Sequence, residues 1–235
     1  MTEYKSRAIA LTYFKHKETS IISKMFTENL GLQTFIIKGA RSKKSKKKIA
    51  FFQPLEISVI NASFSKKKTL QNIKEINLPD DDFNIFLSIN NKFLSLFIAE
   101  VLSKTLRENE KDTNLFEFIW TTRKLLSKKE VVSKNFSIIF LLRLAGFLGF
   151  YPSAQKITPP YYFDLKNAEF SKKETSTTIN YDLSKYLYLL IKKQNPVIPY
   201  ETRKELLDVL IKYYHAHHHE LKNLTSHLVI ESLRL

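Results

Sequence analysis

Through the first 78 residues, apolar and polar positions alternate in short runs broken by polar or basic stretches, the period of two expected of half-buried strands. Arg7–Phe14 alternates around Ile9, Leu11 and Tyr13, and Ser20–Thr27 carries Ile22 and Phe26. The turn Asn29-Leu30-Gly31 leads into Leu32–Lys38, and Phe52–Ile60 and Thr69–Ile76 complete five strands. An open sheet of that size would expose two edges, so a closed barrel is expected, with the five-stranded OB barrel as the candidate.

At Leu78-Pro79-Asp80-Asp81-Asp82 the period changes. Three carboxylates after a proline suit a helix N-terminus, where they cap free amides and oppose the positive dipole end; a divalent-metal site is the alternative. Apolar pairs then recur at helical spacing: Phe86/Leu87, Phe93/Leu94, Phe97/Ile98 and Val101/Leu102. Asn114 and Glu117 read as a capping box for a second helix through Leu126. A third, from Lys134 to about Gly149, is apolar on nearly all sides and belongs at the centre of a helical domain. Prolines 152, 159 and 160 interrupt the pattern, and Tyr161–Leu165 reads as a short strand or hairpin. Helices are expected again over Asp182–Lys193, Pro199–His215 and Glu220–Leu235. The reading is an α+β chain: an N-terminal five-stranded OB-type barrel over 1–79, then a helical domain over 80–235 with a non-helical insertion near 151–180.

Charge changes this picture most. The chain of 235 residues carries a formal net charge of +15. Residues 1–79 hold 16 Lys/Arg against 5 Asp/Glu, whereas the other 156 residues hold 22 against 18. Such a surplus attracts polyanions, and it sits mainly on the barrel. Lys38, Arg41, Lys43, Lys44, Lys46, Lys47 and Lys48 place seven cations in eleven residues, and Lys66, Lys67 and Lys68 add three. Phosphates are the usual counter-charge for that density. Tyr13, Phe14, Phe35, Phe51 and Phe52 lie close by, and cations beside aromatic platforms are how small barrels hold single strands. Each aromatic has an alternative place in the barrel core.

Several chemistries are disfavoured. Four glycines (31, 39, 146 and 149) cannot write a P-loop or a dinucleotide fingerprint. With no cysteine there is no thiolate zinc site or disulfide. His215, His217, His218 and His219 cluster beside Glu220, but no spacing places a third ligand, so a solvated helix end is expected and no metal. No cofactor and no catalytic residue is expected. The longest aliphatic or aromatic run, Ile138–Leu142, is far too short to span a bilayer, and the N-terminus has no signal-like stretch. A cytoplasmic protein without a membrane partner is the expectation.

Lys17-Glu18-Thr19-Ser20, Phe26-Thr27-Glu28, Gly31, Lys38-Gly39-Ala40-Arg41-Ser42-Lys43-Lys44-Ser45 and Phe52-Gln53-Pro54-Leu55-Glu56 resemble, in order and spacing, the RecO family of bacterial DNA repair and recombination mediators. The resemblance covers residues 5–78 and continues weakly at Leu115-Phe116-Glu117-Phe118 and from Phe136 to Phe150. It implies binding to single- and double-stranded DNA, annealing of complementary strands, and engagement of the acidic tail of the single-stranded-DNA-binding protein. With RecR, such proteins help RecA load onto coated strands, which implies a nucleoid-associated location. The DNA role falls on Lys38, Arg41, Lys43 and Lys44, extended by charge to Lys46–Lys48 and Lys66–Lys68. The tail site falls on Lys134 with Phe136 and Phe140, and Arg123 is a nearby alternative cation.

The chain departs from the family pattern twice. Tyr151–Asn180 replaces a four-cysteine zinc module, and a basic Leu-Lys-Ser-Arg signature stands here as Leu221-Lys222-Asn223-Leu224. An RNA-binding OB protein of ribosome or transcript maturation would share the barrel, charge and aromatics, and would differ in sensitivity to the 2′-OH.

Overall fold

The computed structural model describes residues 2–42, 49–79, 88–128, 132–154, 159, 161–219, 221 and 223–232. They gather into two compact units, Met1–Glu130 and Val131–Leu235.

In the first unit, β1 (Thr2–His16), β2 (Ser20–Thr27), β3 (Gly31–Ile37), β4 (Ile57–Phe64) and β5 (Gln71–Asn77) form a closed barrel of order β1-β2-β3-β5-β4. The long β1 closes it by pairing with β4 over Thr2–Ile9 and with β2 over Ala8–His16. β3 and β5 meet as the parallel pair. Ala8, Ala10, Ile21, Met25, Phe35, Ile37, Phe52 and Ile60 point inward and are buried.

The expected fourth strand starts too early. Residues 49–52 form a 3₁₀ turn that delivers Phe52 into the interior, and β4 begins only at Ile57. Leu55, at φ +64°, and Glu56 instead pair with the backbone of Ala10, beside the irregularity in β1.

Two helices belong to the same unit, so the compact division falls at Glu130 although the barrel ends at Asn77. Helix α1 (Ile89–Thr105) packs on β1, and α2 (Thr113–Ser127) packs on α1. Ser88 caps α1; Asp80–Asp82 and Phe86/Leu87 lie outside the described residues. The expected Asn114/Glu117 box is corrected: Asp112 caps α2, its carboxylate accepting from the Leu115 amide at 2.9 Å. Glu117 turns instead to Arg7.

The second unit holds α3 (Phe136–Phe147), the hairpin β6 (Tyr162–Asp164) and β7 (Glu169–Ser171), α4 (Tyr181–Ile191), α5 (Tyr200–Ala216) and α6 (Ser226–Ser232). The apolar α3 packs on α5, and the Tyr214 hydroxyl donates to the Leu141 carbonyl at 2.7 Å. Where the family resemblance implies a zinc module, the hairpin is held by other means. Tyr161, Phe163, Phe170 and Tyr188 form a cluster of ring contacts. Asp164 accepts from the Lys166 and Asn167 amides and from the Thr177 hydroxyl. Burial pushes the Asp164 carboxyl up, but these donors outweigh it and hold the group below its ordinary value.

Candidate nucleic-acid interface

The outward face of the barrel has two ends. Ile9, Phe26 and Leu32 alternate with interior residues, so they point out of the barrel, yet all three are buried. Phe26 meets Phe116 of α2 at 5.6 Å between ring centroids. Arg7 fastens this end: its guanidinium holds Glu28 bidentately at 2.8 and 2.9 Å, bonds Glu117, and lies over the Phe116 and Trp120 rings. The side-chain hydrogen bonds from Arg7 keep the Glu28 carboxyl below its ordinary range despite some burial.

At the other end the same strands are open. Phe14 pairs across the sheet with Ile22 and Ile22 with Ile36, giving an apolar row, while Thr12, Lys24 and Thr34 form the row beside it. Phe14 is 50% exposed and Ile36 half-buried. Of the aromatics singled out in the sequence, Phe35 and Phe52 are fully buried in the core, and Tyr13 and Phe51 pack against it. Phe14 is the one of these five that presents its ring to solvent.

The basic loop leaves from this open end. Gly39, at φ +70°, turns the chain so that Ala40 enters the interior. The Arg41 amide donates to the Thr19 carbonyl at 2.9 Å and its guanidinium to the Lys17 carbonyl at 3.3 Å. Lys38 is exposed, and the rooted turn puts Lys38 and Arg41 beside the β1–β2 turn with its Lys17, next to Lys15 at the end of β1. Lys43, Lys44, Lys46, Lys47 and Lys48 lie outside the described residues. Lys66–Lys68 are exposed but stand apart, between β4 and β5, where they line a groove with the start of β3.

The residues expected to take an acidic tail fall in different units. Arg123 is fully buried in the first unit, where it bonds Glu56 at 3.1 Å and Ser127. A peptide carboxylate has no access to it, so Arg123, contrary to expectation, does not serve as a tail-binding cation. Phe140 is also buried in the core of the second unit. Lys134 is exposed and Phe136 half-buried. Between them, Asn135 donates to the Asn195 side chain and the Pro196 carbonyl at 2.8 and 2.9 Å, fixing a loop whose Val197 is 95% exposed. A cation and apolar surface thus coincide here, with Val197 a member that the sequence pattern did not single out.

The histidines differ from a solvated helix end. His215 and His218 are exposed, but the Phe150 ring stacks against both His217 and His219, at 5.0 and 5.1 Å. Among the described residues no group of three or more His, Cys, Asp or Glu converges to hold a metal ion. Nor, among them, is any helix long and apolar enough to cross a membrane.

A closed barrel of this strand order, followed by helices, is an OB-type α+β architecture. The chain belongs to the RecO family. The family profiles described as Recombination protein O N terminal and Recombination protein O C terminal match residues 1–80 and 88–225. The DNA repair protein RecO of Flavobacterium johnsoniae is 36% identical over 220 residues, covering 92% of each chain. That of Flavobacterium psychrophilum is 32% identical over 223 residues with the same coverage. That of Bacteroides fragilis is 33% identical over 171 residues, 71% of this chain and 69% of its own. Membership places the protein in DNA repair and recombination.

Proposed function

We propose that this protein is a recombination mediator that binds single- and double-stranded DNA, anneals complementary strands and helps load RecA onto strands coated by the single-stranded-DNA-binding protein. The observation that carries the reading is the open end of the barrel, where Phe14 and Ile36 offer apolar contact between Lys24 and the rooted Lys38–Arg41 turn. Bases stack on the aromatic ring and phosphates follow the cations, continued by Lys43–Lys48. The mediator makes and breaks no bond. It works by lowering repulsion between strands and by holding the coating protein and the DNA together.

The acidic tail of the coating protein is assigned to Lys134 and Phe136 with Val197: the ammonium takes a carboxylate and the apolar side chains take the terminal residue. RecR is the expected companion, and the bacterial nucleoid the expected location.

The deciding experiment anneals complementary oligonucleotides coated with the cognate single-stranded-DNA-binding protein, with and without its acidic tail. Annealing should be accelerated on bare strands and on strands coated by the tailed protein, and should fail where the tail is missing. No acceleration on bare DNA sinks the proposal. A preference for RNA over DNA would favour an RNA-maturation role instead.

A further inference from the structure

Where the β4–β5 turn, the start of β3 and the α1–α2 connector meet, a groove of about 540 Å³ is edged by Lys66, Lys67, Lys68 and Lys111. Glu108 also lines it, with one oxygen already accepting from the Thr34 hydroxyl at 3.1 Å. Cation therefore exceeds anion here by four to one.

Both walls are built rather than loose. Gln71 is 4% exposed, and its side chain staples the lysine turn from within. Its Nε2 donates to the Ser65 and Lys68 carbonyls at 3.1 and 2.7 Å, and its Oε1 accepts from the Ser65 amide at 3.0 Å. The Lys68 amide closes the turn onto the Ser65 carbonyl at 3.1 Å, so Lys66 and Lys67 stand at the tip of a fixed scaffold.

The connector is fixed to β3. The Asn109 amide donates to the Leu32 carbonyl at 3.1 Å, and Gln33 donates to the Asn109 side chain at 2.9 Å. Gly31 accepts the closest approach, since a Cβ there would lie 2.1 Å from the Glu110 carbonyl oxygen. Holding like charges in fixed register is unfavourable until a polyanion neutralises them.

The groove begins at Leu32–Thr34, whereas the Lys38–Arg41 turn follows the far end of β3. Along β3 the groove residues Leu32–Thr34 lie four to six positions from Lys38, a separation of roughly 13–20 Å.

We infer that this groove is a second phosphate site, which takes the backbone of a second nucleic-acid strand while the first lies on the open end of the barrel. The inference rests on the DNA-binding reading above. One chain then holds both strands, and their encounter becomes intramolecular, which raises effective concentration without a second protein copy.

The test uses the full-length chain and short oligo-dT, whose strands cannot pair, with sedimentation to count proteins and strands in each complex. The wild type should bind two oligonucleotides per chain. The triple charge reversal Lys66→Glu, Lys67→Glu and Lys111→Glu should bind one, with first-strand affinity within about twofold and annealing of bare complementary strands slowed at least about tenfold. Gln71→Ala keeps every lysine but frees the turn, and should weaken only the second binding event. Unaltered circular dichroism and melting establish that the surface triple variant is folded.

One oligonucleotide per wild-type chain, or two strands held only by two protein copies, overturns the inference. So does a triple variant that loses both binding events equally, because the two groups are then one track. Failure of the underlying reading looks different: Phe14→Ala with Lys38→Gln would leave the first binding event untouched.

Discussion

The two ends of the barrel surface are made from the same strands with the same alternation, yet one is sealed and the other open. At the sealed end the outward residues Ile9, Phe26 and Leu32 are buried, and the cations are guanidinium groups locked onto carboxylates, Arg7 on Glu28 and Glu117, Arg123 on Glu56. At the open end Phe14 stays exposed and the cations are mostly lysines. A planar fork suits a fixed bidentate pair, whereas an ammonium on a long stem suits a mobile phosphate. A charge count alone therefore misjudges an interface: some of the first unit's cations hold helices in place, and the rest remain for a ligand.

The largest effect expected from this contrast is at Arg123. Arg123→Ala strands the Glu56 carboxylate, which burial already presses toward its neutral form, and should cost about 3–5 kcal/mol in denaturant unfolding. Replacing both partners, Arg123→Met with Glu56→Leu, should recover most of that, because well-packed apolar residues substitute for a buried pair. If the single variant is as stable as wild type, the sealed end is not held by this pair.

At the open end, Phe14→Ala should leave stability within about 0.5 kcal/mol. It should weaken single-strand binding by about 1–3 kcal/mol, the worth of one stacked base. Fluorescence titration against single- and double-stranded probes checks this, and the duplex should be affected less. Equal losses on both would show that Phe14 does not meet an unstacked base.

Lys38→Gln should act more mildly, lowering the log–log salt slope of single-strand binding by about 0.7 for its one phosphate contact. An unchanged slope would remove Lys38 from the DNA path.

The smallest effect concerns acid. Arg7 lowers the folded pKa of Glu28, so the pair's contribution is fully present above the unfolded carboxylate value of about 4.3. It is lost as pH falls through the lower folded value. The pair is about a third exposed and is worth at most about 1 kcal/mol. Glu28→Gln should flatten that part of the acid-unfolding curve, and an identical curve would show that the pair contributes nothing.

How far the sequence could be read depended on whether the signal was local. Alternation revealed the barrel strands, and apolar runs revealed α3 and the short strand within Tyr161–Leu165, because burial imposes its pattern on neighbouring residues; β7 (Glu169–Ser171) gave no such signal. It failed at Phe52, whose apolar run fills the barrel from a 3₁₀ turn rather than from a strand. Asn114 and Glu117 had capping spacing, but Asp112 sits two residues earlier and Glu117 answers to Arg7, which is 110 residues away. Arg123 offered no local sign of burial, because its partner Glu56 is 67 residues distant. The lysine tract was obvious as charge. That Lys66–Lys68 are braced by Gln71 and share a groove with Lys111 depends on the barrel closing first.

That closure has a kinetic side. β2 and β3 are neighbours in the chain and share seven residue pairs, whereas β3 and β5 share two, Phe35 with Gln71 and Ile36 with Asn72. Hairpins of short loop form early, and a parallel pairing across a long loop is made late and opens first. The cylinder therefore shuts at its thinnest seam, and the amides there should exchange with solvent ahead of those between β2 and β3. Gln71 is at once a seam residue and the brace of the lysine turn. Breathing of the barrel and slackening of the second groove are therefore one event, on one clock.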